Sequence, residues 1–309
     1  MGASEETEPI WRELFGFAEP YDDQADAIET AIAAGRSQGF LAMEGPCGTG
    51  KTMAALTAGA TLVREDDYER LLVVTPVKQQ RRQFVADLRQ LNAGLDDPLA
   101  GLALVGKRDL CPYGREDVFP PDAGVNDRCE DLRENTADLL ESDGSSDDRP
   151  VADAVIRPRN DEVWWDPQIG SDLAKAARSG GIGQQAIAGA LSTGGAESPY
   201  RRTQPTAPEE LGGEDPPLYC PFEADWYARN TGSPVDFDVG AENVVTAEEF
   251  LPASVEYGTC PHRAMSVMLE SADVVIGNYN HLFDPKTRPL LSSILDEDTF
   301  VVVDEAHRL

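Results

Sequence analysis

The apolar positions of this chain alternate between two periods. PYDDQADAIETAIAAG sets Ala25, Ile28, Ala31 and Ile32 at helical spacing and closes on Gly35, which predicts a first helix. QGFLAMEGPCGTGKT follows as an apolar run that predicts a strand, then a glycine-rich turn and the start of a helix reaching about Val63. LLVVTP, bounded by Arg70 and Pro76, has the composition of a buried parallel strand. VKQQRRQFVADLRQLNAG places Val77, Phe84, Val85, Leu88 and Leu91 on one helical face, with Gly94 as its stop, and LALVGKR predicts a further strand. Strand and helix in alternation predict an α/β fold with a doubly wound parallel sheet.

Near Leu110 the pattern changes. Between Glu130 and Pro217 there are 18 acidic and 8 basic residues, and ESDGSSDDRP and RRTQPTAPEELGGEDPP read as loop or disordered sequence. A helical patch at 171–191 is interrupted by two glycines, and Trp164 with Trp165 suggests either a small local core or a partner contact. Regular patterning returns in CPHRAMSVMLESADVVIGNYNHLFD, a helix and a buried strand, and TFVVVDEAH supplies another strand before Leu309. The expected organisation is a sheet domain in two parts, 1–108 and 266–309, interrupted by an insertion at 109–265 whose stretch 130–217 is acidic and partly disordered.

Composition adds a constraint that periodicity does not. The chain has 309 residues, 56 acidic against 26 basic, and a formal net charge of −30. Such charge self-repels in dilute buffer, a lever that halophilic proteins use. Salt at 1 M shortens the Debye length to about 3 Å and removes the repulsion. The charge therefore reads as that of a halophilic, salt-adapted protein, and by itself it argues against nucleic acid as a partner. No window suits a membrane span, MGASEETEPI lacks the basic start of a signal peptide, and Glu6 breaks the myristoylation pattern. The expectation is a cytoplasmic monomer with no membrane partner.

Chemistry concentrates in two short segments. GPCGTGKT (Gly45, Pro46, Cys47, Gly48, Thr49, Gly50, Lys51, Thr52) fits the phosphate-loop pattern between a predicted strand and a helix. Its glycines let backbone N–H groups turn toward phosphate oxygens at a helix N-terminus. In this pattern Lys51 reaches the outer phosphates of ATP and the Thr52 hydroxyl holds magnesium. VVVDEAH (301–307) ends a buried strand on Asp304, a second magnesium ligand, and on Glu305, placed to orient and deprotonate an attacking water.

Together with GKRDLCPYG and CPHRAMSVMLESADVVIGNYNHLFDP, these motifs are similar to the iron–sulfur superfamily 2 helicases of the XPD/DinG type, over residues 20–129 and 218–309. The resemblance implies a RecA-like P-loop sheet, incomplete at its C-terminal end, with an inserted, mainly helical iron–sulfur domain. It implies that Gln24 contacts adenine and that His307 couples nucleotide state to DNA. It further implies an ATP-dependent DNA helicase, moving 5′ to 3′, that acts on single-stranded DNA and forked duplex. Because the chain stops just after the acidic motif, the expectation is an N-terminal fragment without the second motor domain and with little activity alone. The alternatives are a non-catalytic DNA- and cluster-binding module, or another P-loop ATPase or ATP-linked nuclease.

The remaining cysteines, Cys111, Cys129, Cys220 and Cys260, are separated by 17, 90 and 39 residues. Spacing alone leaves a cluster, zinc or unligated thiols open. The resemblance implies a [4Fe–4S] cluster, with Cys129 departing most from the family's spacing. His262 reads as the residue after a ligand's proline, and His281 as a surface or loop residue. Residues 70–110 form a basic island of seven cations against four carboxylates. The resemblance places backbone contacts to single-stranded DNA at Thr75, Lys78, Gln79 and Arg82. NYNH at 278–281 suits either stacking on bases or capping the sheet.

Overall fold

A computed structural model describes residues 8–21, 23–46, 48–115, 124–142, 220, 222–223, 226 and 233–309. The helical patch at 171–191, Trp164, Trp165 and Cys47 lie outside the described residues. The helices are α1 (Gln24–Arg36), α2 (Lys51–Arg64), α3 (Lys78–Asn92), α4 (Lys107–Leu110), α5 (Pro112–Arg115), α6 (Val125–Ser142), α7 (Ala247–Tyr257), α8 (Pro261–Met268) and α9 (Tyr279–Phe283). The strands are β1 (Arg70–Thr75), β2 (Gly101–Ala103), β3 (Val244–Val245), β4 (Val274–Asn278) and β5 (Thr299–Val303). The chain divides into two compact units, one of Met1–Leu104, Gly240–Val245 and Leu269–Leu309, the other of Val105–Val239 and Thr246–Met268.

The first unit is a five-stranded parallel sheet in the order β3-β2-β4-β1-β5, with helices packed on it. β1 lies between β4 and β5, with Leu71 opposite Val274 and Phe300, and every residue of β1 is buried. That explains its unbroken apolar run, since a strand with both faces covered has no reason to alternate. Leu14, Leu56, Phe84, Leu88 and Leu91 belong to one core cluster with β1 and β4, while Trp11, Ile28, Ile32, Met53 and Leu62 form another. Gly35, expected as a helix stop, lies inside α1, where a Cβ would stand 2.5 Å from the Leu62 side chain. It is a close-packing glycine.

Two expectations change here. Phe40–Met43 was read as a strand, yet residues 39–46 have no regular structure and Phe40 is fully exposed. β5, which pairs with β1 on one side only, is the edge of the sheet. An apolar run makes a strand only where a neighbour offers its N–H and C=O groups in register, and composition does not encode that neighbour. Conversely, residues 240–245, inside the interval expected for the insertion, return to the sheet as β3 beside β2.

The second unit is helical where it is described. The stretch expected to be partly disordered from Glu130 onward is, as far as Ser142, the continuation of α6. Leu132 and Thr136, four apart on that helix, are buried, and this inward stripe outweighs the acidic composition around it. α7 starts in a capping box, Glu249 Oε2 accepting from the Thr246 backbone N–H at 2.9 Å. No helix among the described residues is long and apolar enough to cross a membrane.

Candidate functional site

The C-terminal ends of β1, β4 and β5 are neighbours in the parallel sheet, so the residues that follow them collect on one edge. Asp304 and Glu305 come directly after β5, and the Asp304 N–H continues the ladder to the Val74 carbonyl at 3.0 Å. The Thr75 hydroxyl stands 3.0 Å from Asp304 Oδ2 and 3.1 Å from Gln80 Oε1, within reach of either acceptor. Gln80 Nε2 donates to Glu305 Oε1 at 2.9 Å. His307 Nδ1 lies 3.4 Å from the other Glu305 oxygen, with its own side chain largely exposed. The Tyr279 hydroxyl donates to the Asp304 carbonyl.

The phosphate loop stands at the start of α2. Gly48 and Gly50 take positive φ, 84° and 76°, and a Cβ on Gly50 would sit 2.3 Å from the Gln24 amide nitrogen. Both the backbone angle and the neighbour require glycine there. Gln24 is buried. Its Nε2 donates to the Gly50 carbonyl at 2.9 Å, and its Oε1 accepts from the Tyr21 N–H at 2.9 Å. Lys51 Nζ folds back on the carbonyls of Gly45 and Pro46 at 2.6 and 2.8 Å, and Thr49 Oγ1 donates to Pro46 at 2.9 Å. Thr52, the next residue of α2, is half-buried.

Burial pushes the Asp304 carboxyl above its ordinary value, while the Thr75 hydroxyl and the positive charge of Lys51 pull it back. A phosphate loop at a helix start and a carboxylate at a parallel strand end are the two parts from which nucleoside triphosphate sites with magnesium are built. Thr52 and Asp304 carry the oxygens suited to the hard cation.

Of the four residues expected to touch DNA, Lys78, Gln79 and Arg82 are exposed on the first turns of α3. Thr75 is wholly buried and serves Asp304, which corrects the expectation for it. Three other cations of the basic island, Arg70, Arg81 and Arg89, are structural. Arg70 pairs with Glu69, while Arg81 and Arg89 donate to the carbonyls of Leu104 and Val244. NYNH caps the sheet. Asn278 Oδ1 accepts from the N–H groups of Asn280 and His281, and His281 Nδ1 accepts from the Asn278 N–H at 3.2 Å. His281 is therefore buried, not superficial, and burial holds its pKa down to about 4.

In the second unit, one cavity is lined by Cys111, Cys129, Cys220 and Cys260 with Lys107, Arg133, Glu223 and His262. None of the four cysteines is in a disulfide. Burial raises the pKa of every one, Cys111 to about 11, and neighbouring thiols add to the rise for Cys111, Cys220 and Cys260. Burial also holds His262 down to about 4. No three His, Cys, Asp or Glu side chains among the described residues converge closely enough to hold a single metal ion. Sequence reasoning missed Glu223, whose side chain is wholly buried. Its Oε1 accepts from Arg133 Nε at 3.1 Å and Arg263 Nε at 2.9 Å. It also missed Gln80. Neither has a local signal, because each is defined by partners far away in sequence.

With this geometry in view, the family follows from a model match. The DEAD_2 family model covers residues 75–309. The chain belongs to the DEAD_2 family. This bears out the resemblance to XPD/DinG-type superfamily 2 helicases. A second model, described as the type III restriction enzyme res subunit, matches residues 17–108, the part that carries the phosphate loop. The chain is 35% identical over 68 residues to the General transcription and DNA repair factor IIH helicase subunit XPD of Dictyostelium discoideum, and 31% over 80 residues to its counterpart in Arabidopsis thaliana. It is 32% identical over 72 residues to the Regulator of telomere elongation helicase 1 homolog of Anopheles gambiae. These matches take in 22%, 24% and 23% of this chain, and only 9%, 11% and 7% of the relatives.

Proposed function

We propose that this DEAD_2 chain carries the nucleotide site of an ATP-dependent DNA helicase that translocates on single-stranded DNA, with 5′-to-3′ polarity. The observation that carries the reading is a phosphate loop with Gly48 and Gly50 at positive φ leading into Lys51 at the head of α2, in the same unit as Asp304 and Glu305 directly after β5. Magnesium, held by Thr52 and Asp304, would neutralise charge on the β- and γ-phosphates. Glu305 takes the proton of the attacking water, whose oxygen bonds to the γ-phosphorus. The bond from that phosphorus to the bridging oxygen breaks, and its electron pair leaves with ADP. Lys51 holds the γ-phosphate and Gln24 steadies the loop through Gly50. Lys78, Gln79 and Arg82 present an exposed polar and cationic turn to phosphate oxygens of the strand. Lys51→Ala in the full-length gene product tests this. ATP hydrolysis should fall at least a hundredfold, and hydrolysis at the wild-type rate would refute the assignment.

We also infer that Cys111, Cys129, Cys220 and Cys260 hold a [4Fe–4S] cluster. Their donor chemistry fits, since four thiols share one buried cavity with the cations Lys107 and Arg133. A cubane spreads its thiolates over four irons, whereas zinc draws four ligands around one point. Iron and acid-labile sulfide in anaerobically purified protein would support it, and stoichiometric zinc would overturn it.

A further inference from the structure

The first turns of α3 face two ways. Lys78, Gln79 and Arg82 are exposed, while Gln80 is half-buried and turned to the acidic motif. At 100° per residue, Lys78 and Gln80 point in nearly opposite directions, so a single turn can touch DNA on one side and Glu305 on the other. The Gln80 amide makes the link. It donates to Glu305 Oε1 at 2.9 Å, and its own oxygen lies 3.1 Å from the Thr75 hydroxyl, which reaches Asp304 at 3.0 Å. Glu305 is held in the left-handed region, at φ 54° and ψ 39°, a conformation that a non-glycine residue keeps only when its surroundings impose it. Arg81 in the same turn, and Arg89 farther along, tie the helix to the carbonyls of Leu104 and Val244.

A carboxylate oxygen that accepts an amide N–H is committed to that donor and to its direction. One of the Glu305 oxygens is thereby directed at α3. We propose that Gln80 is a positioning residue that restrains Glu305 when DNA is absent, and that DNA bound on the exposed side of the same turn releases it. The proposal rests on the ATPase and DNA reading above. It adds a named contact through which the strand would switch hydrolysis on, and it assigns a role to a residue between two candidate DNA contacts that itself faces away from DNA.

The test is steady-state ATP hydrolysis by the full-length gene product, without DNA and with saturating single-stranded oligonucleotide, comparing wild type with Gln80→Ala and Gln80→Asn. Asn keeps the amide but falls one methylene short of Glu305, and so guards against a folding defect in the Ala variant. A hydrogen bond to a charged group is worth enough to predict a rise of roughly tenfold in the DNA-free kcat of both variants. The kcat with DNA should stay near wild type, so stimulation by DNA falls by the same factor, with KM for ATP unchanged. A DNA-free rate that stays level or falls would overturn the restraint. Both rates falling together would mean that Gln80 merely supports the site. A wild-type enzyme that hydrolyses ATP but ignores DNA would overturn the release step alone. A wild-type enzyme with no hydrolysis under either condition would overturn the ATPase reading itself.

Discussion

Removing the Glu223 carboxylate should loosen the cysteine cavity more than any other single change in its lining. Glu223 is 0% exposed, and Oε1 is shared by Arg133 and Arg263, whose side chains are 28% and 31% exposed. Arg133 lies four residues after Cys129, Arg263 three after Cys260, and Glu223 three after Cys220. One carboxylate thus ties together the segments that carry three of the four thiols. Glu223→Ala leaves two guanidinium groups side by side without their counter-charge. Breaking one buried ion pair costs about 3–5 kcal/mol, and the partial exposure of both arginines places this case near the lower figure, about 3 kcal/mol. Glu223→Gln keeps an acceptor oxygen but loses the charge, and should cost about half as much, roughly 1.5 kcal/mol. Urea unfolding gives the global figure. Alkylation of metal-free protein gives the local one, because Cys220 and Cys260 should react faster in Glu223→Ala, with the Gln variant in between. Unchanged unfolding and unchanged alkylation in the Ala variant would refute the reasoning.

Two further outcomes are expected. His281 is 4% exposed and its pKa is held near 4, against about 6.5 for an unfolded histidine, so the unfolded chain binds more protons between those values. Stability should therefore fall as pH drops from about 6.5 to 4, by up to roughly 3 kcal/mol from this group. His281→Gln, which keeps an acceptor for the Asn278 N–H, should flatten thermal melts across that window, and an unaltered pH dependence would exclude His281 as the cause. The net charge of −30 predicts a melting temperature that climbs as KCl is raised toward molar concentration, and a flat or falling curve would exclude salt adaptation.

Some of this protein is local, and that part was legible in the sequence. The spacing of Ile28, Ala31 and Ile32, the buried run of β1 and the stripe of Phe84, Leu88 and Leu91 each reflect a period imposed by one element. The phosphate loop and the Asp-Glu pair could be read for a similar reason, since their glycines and carboxylates need one backbone shape at one strand or helix end. The −30 charge was legible too, but not its arrangement. Arg70, Arg81 and Arg89 of the basic island hold carboxylate or backbone partners, while Lys78 and Arg82 are exposed on α3.

What only the tertiary structure decided was which polar groups meet. Whether Phe40–Met43 became a strand depended on a ladder partner, and whether residues 130–142 formed a helix depended on an inward stripe finding cover. Thr75 read as a DNA contact until burial turned its hydroxyl to Asp304, and His281 read as superficial until it closed the cap on Asn278. Gln80 and Glu223 carried no local mark, because a buried amide or carboxylate is specified by the distant group that satisfies it. Apolar burial is nondirectional and leaves its period in the sequence. A buried hydrogen bond depends on the position and angle of two atoms brought together by the whole fold, and those are fixed only once the chain has packed.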